Sequence, residues 1–209
     1  MLNNPKVRAL AAGVIDKPAR GLLRLGISPD AVTVAGTVVM VVATVGFLAR
    51  GQWAVGLILA ALVAPSDMLD GTMARLSGRA GPWGAYLDST LDRVADGAIF
   101  GSLAYYYASQ GDTRAAAVAL LALVGALLVS YARARAEGVG ATASVGIAER
   151  TERMIIVALG VLAAALGWPQ VLPWALALVA VLAWITVVQR IWHVRGQLHP
   201  SRTAAEETP

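Results

Sequence analysis

The chain has 209 residues, of which 57% are hydrophobic and only 14% charged, with a mean hydropathy of +0.65. Soluble domains carry about 25% charged residues, so this composition describes an integral membrane protein. The formal charge of +4 does not mark a nucleic-acid partner, because the basic residues stand at the ends of apolar runs. The lack of cysteine excludes disulfides, thiolate nucleophiles and Cys metal sites.

Residues 1–29 do not read as an export signal: Lys6, Arg8, Lys17, Arg20 and Arg24 recur through them, and the apolar run Ala9 to Ile15 is short. They read as an amphipathic segment lying along the membrane surface, broken near Pro18. Ser28 and Pro29 then supply an N-cap and a first-turn proline. Six apolar stretches follow, from about 31 to 48, 53 to 76, 84 to 107, 114 to 136, 152 to 166 and 171 to 194. Most reach the roughly 20 residues that a span requires; the fifth is short and punctuated by glycine. The expected architecture is all-α, with six transmembrane helices in a domain of residues 30–196 and a polar, disordered tail over 197–209. No repeat or additional soluble domain is visible.

Orientation follows from the Lys and Arg positions. With the N-terminus in the cytoplasm, all of the 17 basic residues except Arg50 and Arg114 fall on the cytoplasmic side or its margin. Six spans then place both termini in the cytoplasm of a cell-membrane protein.

The second and third stretches hold the informative feature. Asp67, Asp70, Asp88 and Asp92 stand in an otherwise apolar region. Each intramembrane carboxylate costs about 2.5–3.5 kcal/mol on insertion scales, so four require a positive counterpart. The i,i+3 and i,i+4 spacings put each pair on one helix face, and the breaker-rich turn 77–83 brings the two faces together. Two divalent cations would balance the four charges; hard ions such as Mg²⁺ take oxygen ligands, and a pair of them suits phosphoryl displacement. Gly71 and Gly84 would let a phosphate approach the backbone, and Arg75 is spaced to pair with it. Asp96, one turn deeper, reads as a structural acid. The only histidines, His193 and His199, lie near the C-terminus, so an interior base must be a carboxylate or tyrosine.

The run D-x2-D-G-x2-A-R-x8-G-x3-D-x3-D, here Asp67 through Asp92, resembles the signature of the CDP-alcohol phosphotransferases. That resemblance implies metal binding by Asp67, Asp70 and Asp88. Asp92 would share the second of two Mg²⁺ ions, with Mn²⁺ an alternative, and deprotonate the acceptor hydroxyl. It implies that Gly71, Ala74 and Arg75 line a CDP site, and that Asp30 and Thr33, in a P-D-A-V-T stretch similar to the family's P-N-x-x-T, contact the cytidine diphosphate. It also implies a homodimer. Gly97 and Gly101 permit close helix approach, either within the bundle or at a seam between copies.

The signature leaves the acceptor open. Arginines in R-A-R-A-E, E-R-T-E-R and Q-R close the fourth, fifth and sixth spans, where the positive-inside bias alone would place them; clustered guanidiniums also suit a phosphorylated acceptor. With those stretches the chain resembles the actinobacterial phosphatidylinositol phosphate synthases, which implies CDP-diacylglycerol and inositol 1-phosphate as substrates in the bilayer. Arg133, Arg153 and Arg190 are the candidates for the acceptor phosphate. A phosphatidylglycerophosphate synthase using glycerol 3-phosphate shares the signature. A divalent-cation transporter and a structural membrane scaffold are the alternatives from other classes.

Overall fold

Helices account for all the regular structure among the described residues, as an apolar solvent demands: a backbone in lipid must satisfy its own hydrogen bonds. The computed structural model describes residues 5–199, with side chains from residue 15 onward; the expected tail beyond 199 lies outside them. Eight α-helices follow in order among the described residues: α1 (Pro5–Arg24), α2 (Pro29–Gly46), α3 (Trp53–Val63), α4 (Ser66–Leu76), α5 (Pro82–Ser109), α6 (Thr113–Glu137), α7 (Arg150–Ala165) and α8 (Val171–Leu198), with one 3-10 turn, Leu48–Arg50, between α2 and α3. The chain divides into two units, residues 1–99 and 100–209, and α5 contributes to both.

Three expectations are corrected. The first helix is not broken near Pro18 but runs through it. An interior proline removes one i→i−4 bond, and here the second half is anchored: Ala19 is fully buried and α1 lies against α4. The second apolar stretch is not one helix but two, α3 and α4, parted at Ala64 and Pro65. Pro65 has no N–H to give to the preceding turn, and the Ser66 hydroxyl donates to the Val63 carbonyl at 2.6 Å instead. The α8 helix also continues to Leu198, past the point at which the polar tail was expected to begin.

In the first unit α2 runs antiparallel to α3 and α4. Ser28 caps α2, its hydroxyl accepting from the Ala31 N–H at 3.2 Å, with Pro29 in the first turn as the sequence predicts. Gly36 lets α2 approach the α4 start; a Cβ there would lie 2.5 Å from Ser66 Oγ. The large outward side chains are apolar: Val34, Val38, Val42 and Val45 recur along one exposed face of α2.

In the second unit α6 and α8 run parallel and α7 returns between their directions. Their seams are built from small residues: Ala119, Ala122 and Ala126 on α6 and Ala183 on α8 are fully buried. A Cβ on Gly125 would stand 3.0 Å from that of Ala183. This is the packing expected where dispersion and close backbone approach, not water exclusion, hold helices together. Outward positions on α8 include Trp174, Leu178, Val181, Ile185, Val188 and Trp192.

Four stretches are long and apolar enough to cross a membrane: Pro29–Arg50, Trp53–Leu76, Thr113–Glu137 and Val171–Leu198. The other two of the expected six differ for visible reasons. The α5 helix carries Asp88, Asp92, Arg93 and Asp96, and α7 has only 16 residues, about 24 Å.

Gly160 on α7 tests the small-residue seam. Its Cβ would fall 2.7 Å from Ala175 Cβ and 3.1 Å from Leu172 Cδ1. Gly160→Leu is expected to cost about 1–3 kcal/mol by overpacking, read as a lower thermal-aggregation midpoint in detergent.

Candidate metal and nucleotide site

The proline break does more than bend the second stretch. By restarting the helix at Ser66 it puts Asp67 in a first turn, where the positive end of the helix dipole favours a carboxylate. Asp70 follows one turn later on the same face. The α4 helix then stops at Leu76 through a glycine cap: Gly78 takes φ +68°, and the Arg79 N–H donates to the Ala74 carbonyl at 2.9 Å. Six residues after Leu76, Pro82 opens α5, whose first three turns present Asp88 and Asp92.

These elements and the start of α2 enclose one cavity of about 340 Å³. All four motif aspartates line it, as do Asp30, Thr33, Gly71, Ala74, Arg75 and Gly84 from the sequence reading. The lining residues that the sequence reading did not single out are Arg79, Ala80 and Gly81, in the turn, and Ala85. Trp83 was also missed: its indole N–H donates to Asp30 Oδ2 at 3.0 Å, tying the start of α5 to the start of α2. Nothing in the sequence ties residue 83 to residue 30; the tie exists only in three dimensions.

The carboxylates are held in different ways. Asp70 is buried, and the Thr33 hydroxyl donates to its Oδ2 at 2.5 Å. Asp92 lies 3.7 Å from the Arg93 guanidinium. Arg75 donates to the Thr72 hydroxyl at 2.9 Å, and its terminal nitrogen lies 3.6 Å from where a Gly71 Cβ would be. Among the described residues no three carboxylate or imidazole groups gather at one point as a closed metal cage. The donor set nonetheless fits hard divalent cations: every ionisable oxygen ligand on the wall is a carboxylate, and five carboxylates there face only two guanidiniums. Gly84 adds a cradle, since a Cβ there meets no protein atom within 4 Å. Asp96 is fully buried in α5 and does not line the cavity.

The three candidate acceptor arginines all lie in the second unit. Arg153 is fully buried and donates to the Ala148 carbonyl at 2.9 Å. Arg190, also buried, donates to Val145 O at 2.9 Å and Val129 O at 2.6 Å. Both arginines thus donate to carbonyls of the 138–149 loop. Arg133 lies on an exposed face of α6, near enough for its charge to act on Arg190, and pairs with Glu137 at 3.1 Å. Three α8 side chains also bind the loop: Thr186 and Gln189 accept from the Ala148 and Ile147 amides, and Gln197 brackets the backbone of Thr142.

An all-helical chain with apolar outer faces and an acid-lined, glycine-edged cavity defines a membrane-embedded, metal-using class of enzyme acting on a phosphorylated substrate. The chain belongs to the CDP-alcohol phosphatidyltransferase family, which it matches over residues 26–193. It is 42% identical over 202 residues to the phosphatidylinositol phosphate synthase of Streptomyces avermitilis, covering 93% of this chain and 83% of that protein. The corresponding synthase of Mycobacterium marinum is 41% identical over 191 residues, covering 90% and 82%. Among solved structures, the Mycobacterium tuberculosis phosphatidylinositol phosphate synthase with CDP-DAG bound matches with a TM-score of 0.83 at 36% identity, covering 95% of this chain and all of that one. The same synthase in complex with manganese and citrate gives 0.84 at 36% identity, covering 93% of each chain.

The Thr33–Asp70 bond generates a prediction. Groups that orient a metal-ligating carboxylate typically matter 10- to 100-fold for metal affinity. Thr33→Val is expected to raise the half-saturating Mn²⁺ concentration for CMP release roughly tenfold, measured by metal titration of purified protein.

Proposed function

We propose that this protein transfers the phosphatidyl group of CDP-diacylglycerol to a hydroxyl of inositol 1-phosphate, forming phosphatidylinositol phosphate and releasing CMP. The observation that carries the reading is the single cavity on which all eight signature positions from Asp67 to Asp92 converge. The family membership and the names of the relatives support the donor and acceptor.

The chain's residues divide the work. Asp67, Asp70, Asp88 and Asp92 would hold two divalent cations, Mg²⁺ or Mn²⁺. When bound, these neutralise the diphosphate and the charge that develops on the leaving phosphate. Arg75 and Arg79 sit on the cavity wall where a diphosphate would lie, and Gly71, Ala74 and Gly84 leave room for its approach. Thr33 holds Asp70 in place, and Asp30, latched by Trp83, borders the nucleotide end. Asp92 takes the proton from the acceptor hydroxyl. That oxygen forms a bond to the lipid-side phosphorus, and the bond from this phosphorus to the bridging oxygen breaks. CMP leaves with the electron pair. No covalent enzyme intermediate is involved.

Arg153 and Arg190 would meet the acceptor phosphate through the loop they organise, with Arg133 at the exposed edge. The same reading has six spans, both termini and the active site on the cytoplasmic face of the plasma membrane, and a homodimer. Open space beside Gly97 and Gly101 supports a seam between copies over a use within the bundle. The parallel course of α6 and α8, each ending in arginines, supports the membrane orientation.

Purified protein given CDP-diacylglycerol is expected to release CMP with inositol 1-phosphate and not with glycerol 3-phosphate. The reverse preference would identify a phosphatidylglycerophosphate synthase; cation flux into liposomes without CMP would identify a transporter. Asp92→Asn should lower turnover by about 10²–10⁴-fold, the usual contribution of a general base, at near-normal expression. Because the chain has no cysteine, single cysteines at Ser109 and Thr142 can report topology. A membrane-impermeant maleimide should label the first from outside intact cells and the second only after lysis.

A further inference from the structure

Of the five carboxylates on the cavity wall, Asp30 alone stands outside the 67–92 run. It sits in the first turn of α2, a helix already capped by Ser28, whose hydroxyl takes the Ala31 N–H. The Asp30 side chain is therefore spare. It crosses to the first turn of α5, where Oδ2 accepts from the Trp83 indole at 3.0 Å. Among the described residues Oδ1 has no protein partner, and Asp30 enters no ion pair.

Trp83 is exposed, and its ring leans on that of Tyr86, with centroids 5.9 Å apart. An exposed aromatic pair at a helix start suits anchoring at a membrane surface, but anchoring uses the rings alone. The indole N–H has a separate destination. It is a neutral group that can only donate, so it holds the carboxylate without cancelling its charge. A carboxylate fixed in one rotamer before the ligand arrives costs less to order at binding than one free to turn.

A carboxylate repels a diphosphate, so the part of a CDP-lipid that Asp30 can bind is the nucleoside, which carries hydroxyl and amine donors. We propose that Trp83 is a positioning residue for the donor nucleotide, a role that rests on the CDP-diacylglycerol reading above. Its indole N–H sets the Asp30 carboxylate, and the second carboxylate oxygen accepts from the nucleoside.

Trp83→Phe keeps an aromatic ring beside Tyr86 and removes the N–H. With CDP-diacylglycerol in mixed micelles it is expected to raise the donor KM roughly tenfold, as loss of one hydrogen bond to a charged group would, while kcat stays within about twofold. The inhibition constant of added CMP, which carries the nucleoside and no lipid, should rise in step. In an Asp30→Ala background the same change should add nothing, because the coupling between two partners vanishes when either is gone. Asp30→Ala by itself leaves Trp83 in place and should raise the donor KM at least as much, which keeps the latch testable if Trp83→Phe does not fold. An unchanged KM in either variant, an effect of Trp83→Phe on kcat alone, or effects of the two changes that simply add would overturn the latch and leave the transfer reading intact. Wild type that released no CMP would end that reading, and the latch with it.

Discussion

A carboxylate in hydrocarbon is unstable unless positive charge reaches it, and the first unit is organised around that requirement. Five aspartates line one cavity with two arginines, so the protein's own cations leave the balance negative. A compact, multiply positive ion that takes oxygen ligands would offset that deficit. The local architecture answers to it. A proline break gives Asp67 a helix N-terminus, a threonine from another helix holds Asp70, and a glycine-capped turn delivers the second pair from α5.

The second unit faces a different problem, since apolar side chains gain nothing from each other that lipid tails would not supply. It is held instead by contact distance. Alanines and glycines on α6, α7 and α8 bring backbones close, and many large aromatic and branched residues, Trp174 and Trp192 among them, face outward. Polar bonds are concentrated at the basic end, where α8 side chains meet the 138–149 loop.

Much of this was legible in the sequence because spacing and composition encode it directly. The aspartate spacings survive as a shared wall, Ser28 caps α2 as its type and position suggest, and the glycine-rich turn falls where predicted. The reading went wrong at the prolines, in opposite directions. Pro18 looked like a break, but packing of α1 on α4 outweighs one missing amide; Pro65 lay inside an apolar run whose hydropathy hid the interruption. Partnerships between distant residues were out of reach: periodicity cannot pair Trp83 with Asp30, nor Thr33 with Asp70. The arginines show the limit most clearly. Their positions were visible, but not that two of them would be buried against a loop while the third stays in the open.

The contacts that secure that loop have an unusual grammar. Arg153, Thr186, Gln189, Arg190 and Gln197 address its amides and carbonyls, and the loop's own side chains hardly enter. Two of its glycines are constrained by their identity: Gly140 takes φ +78°, and Gly146 takes φ +142° with Thr186 Cγ2 2.4 Å from where a Cβ would project. The information that shapes the segment is therefore written on the helices beside it. Its other exposed positions are free to drift without losing the shape, whereas the buried Ala141, Ala143 and Ala148 have no room to grow.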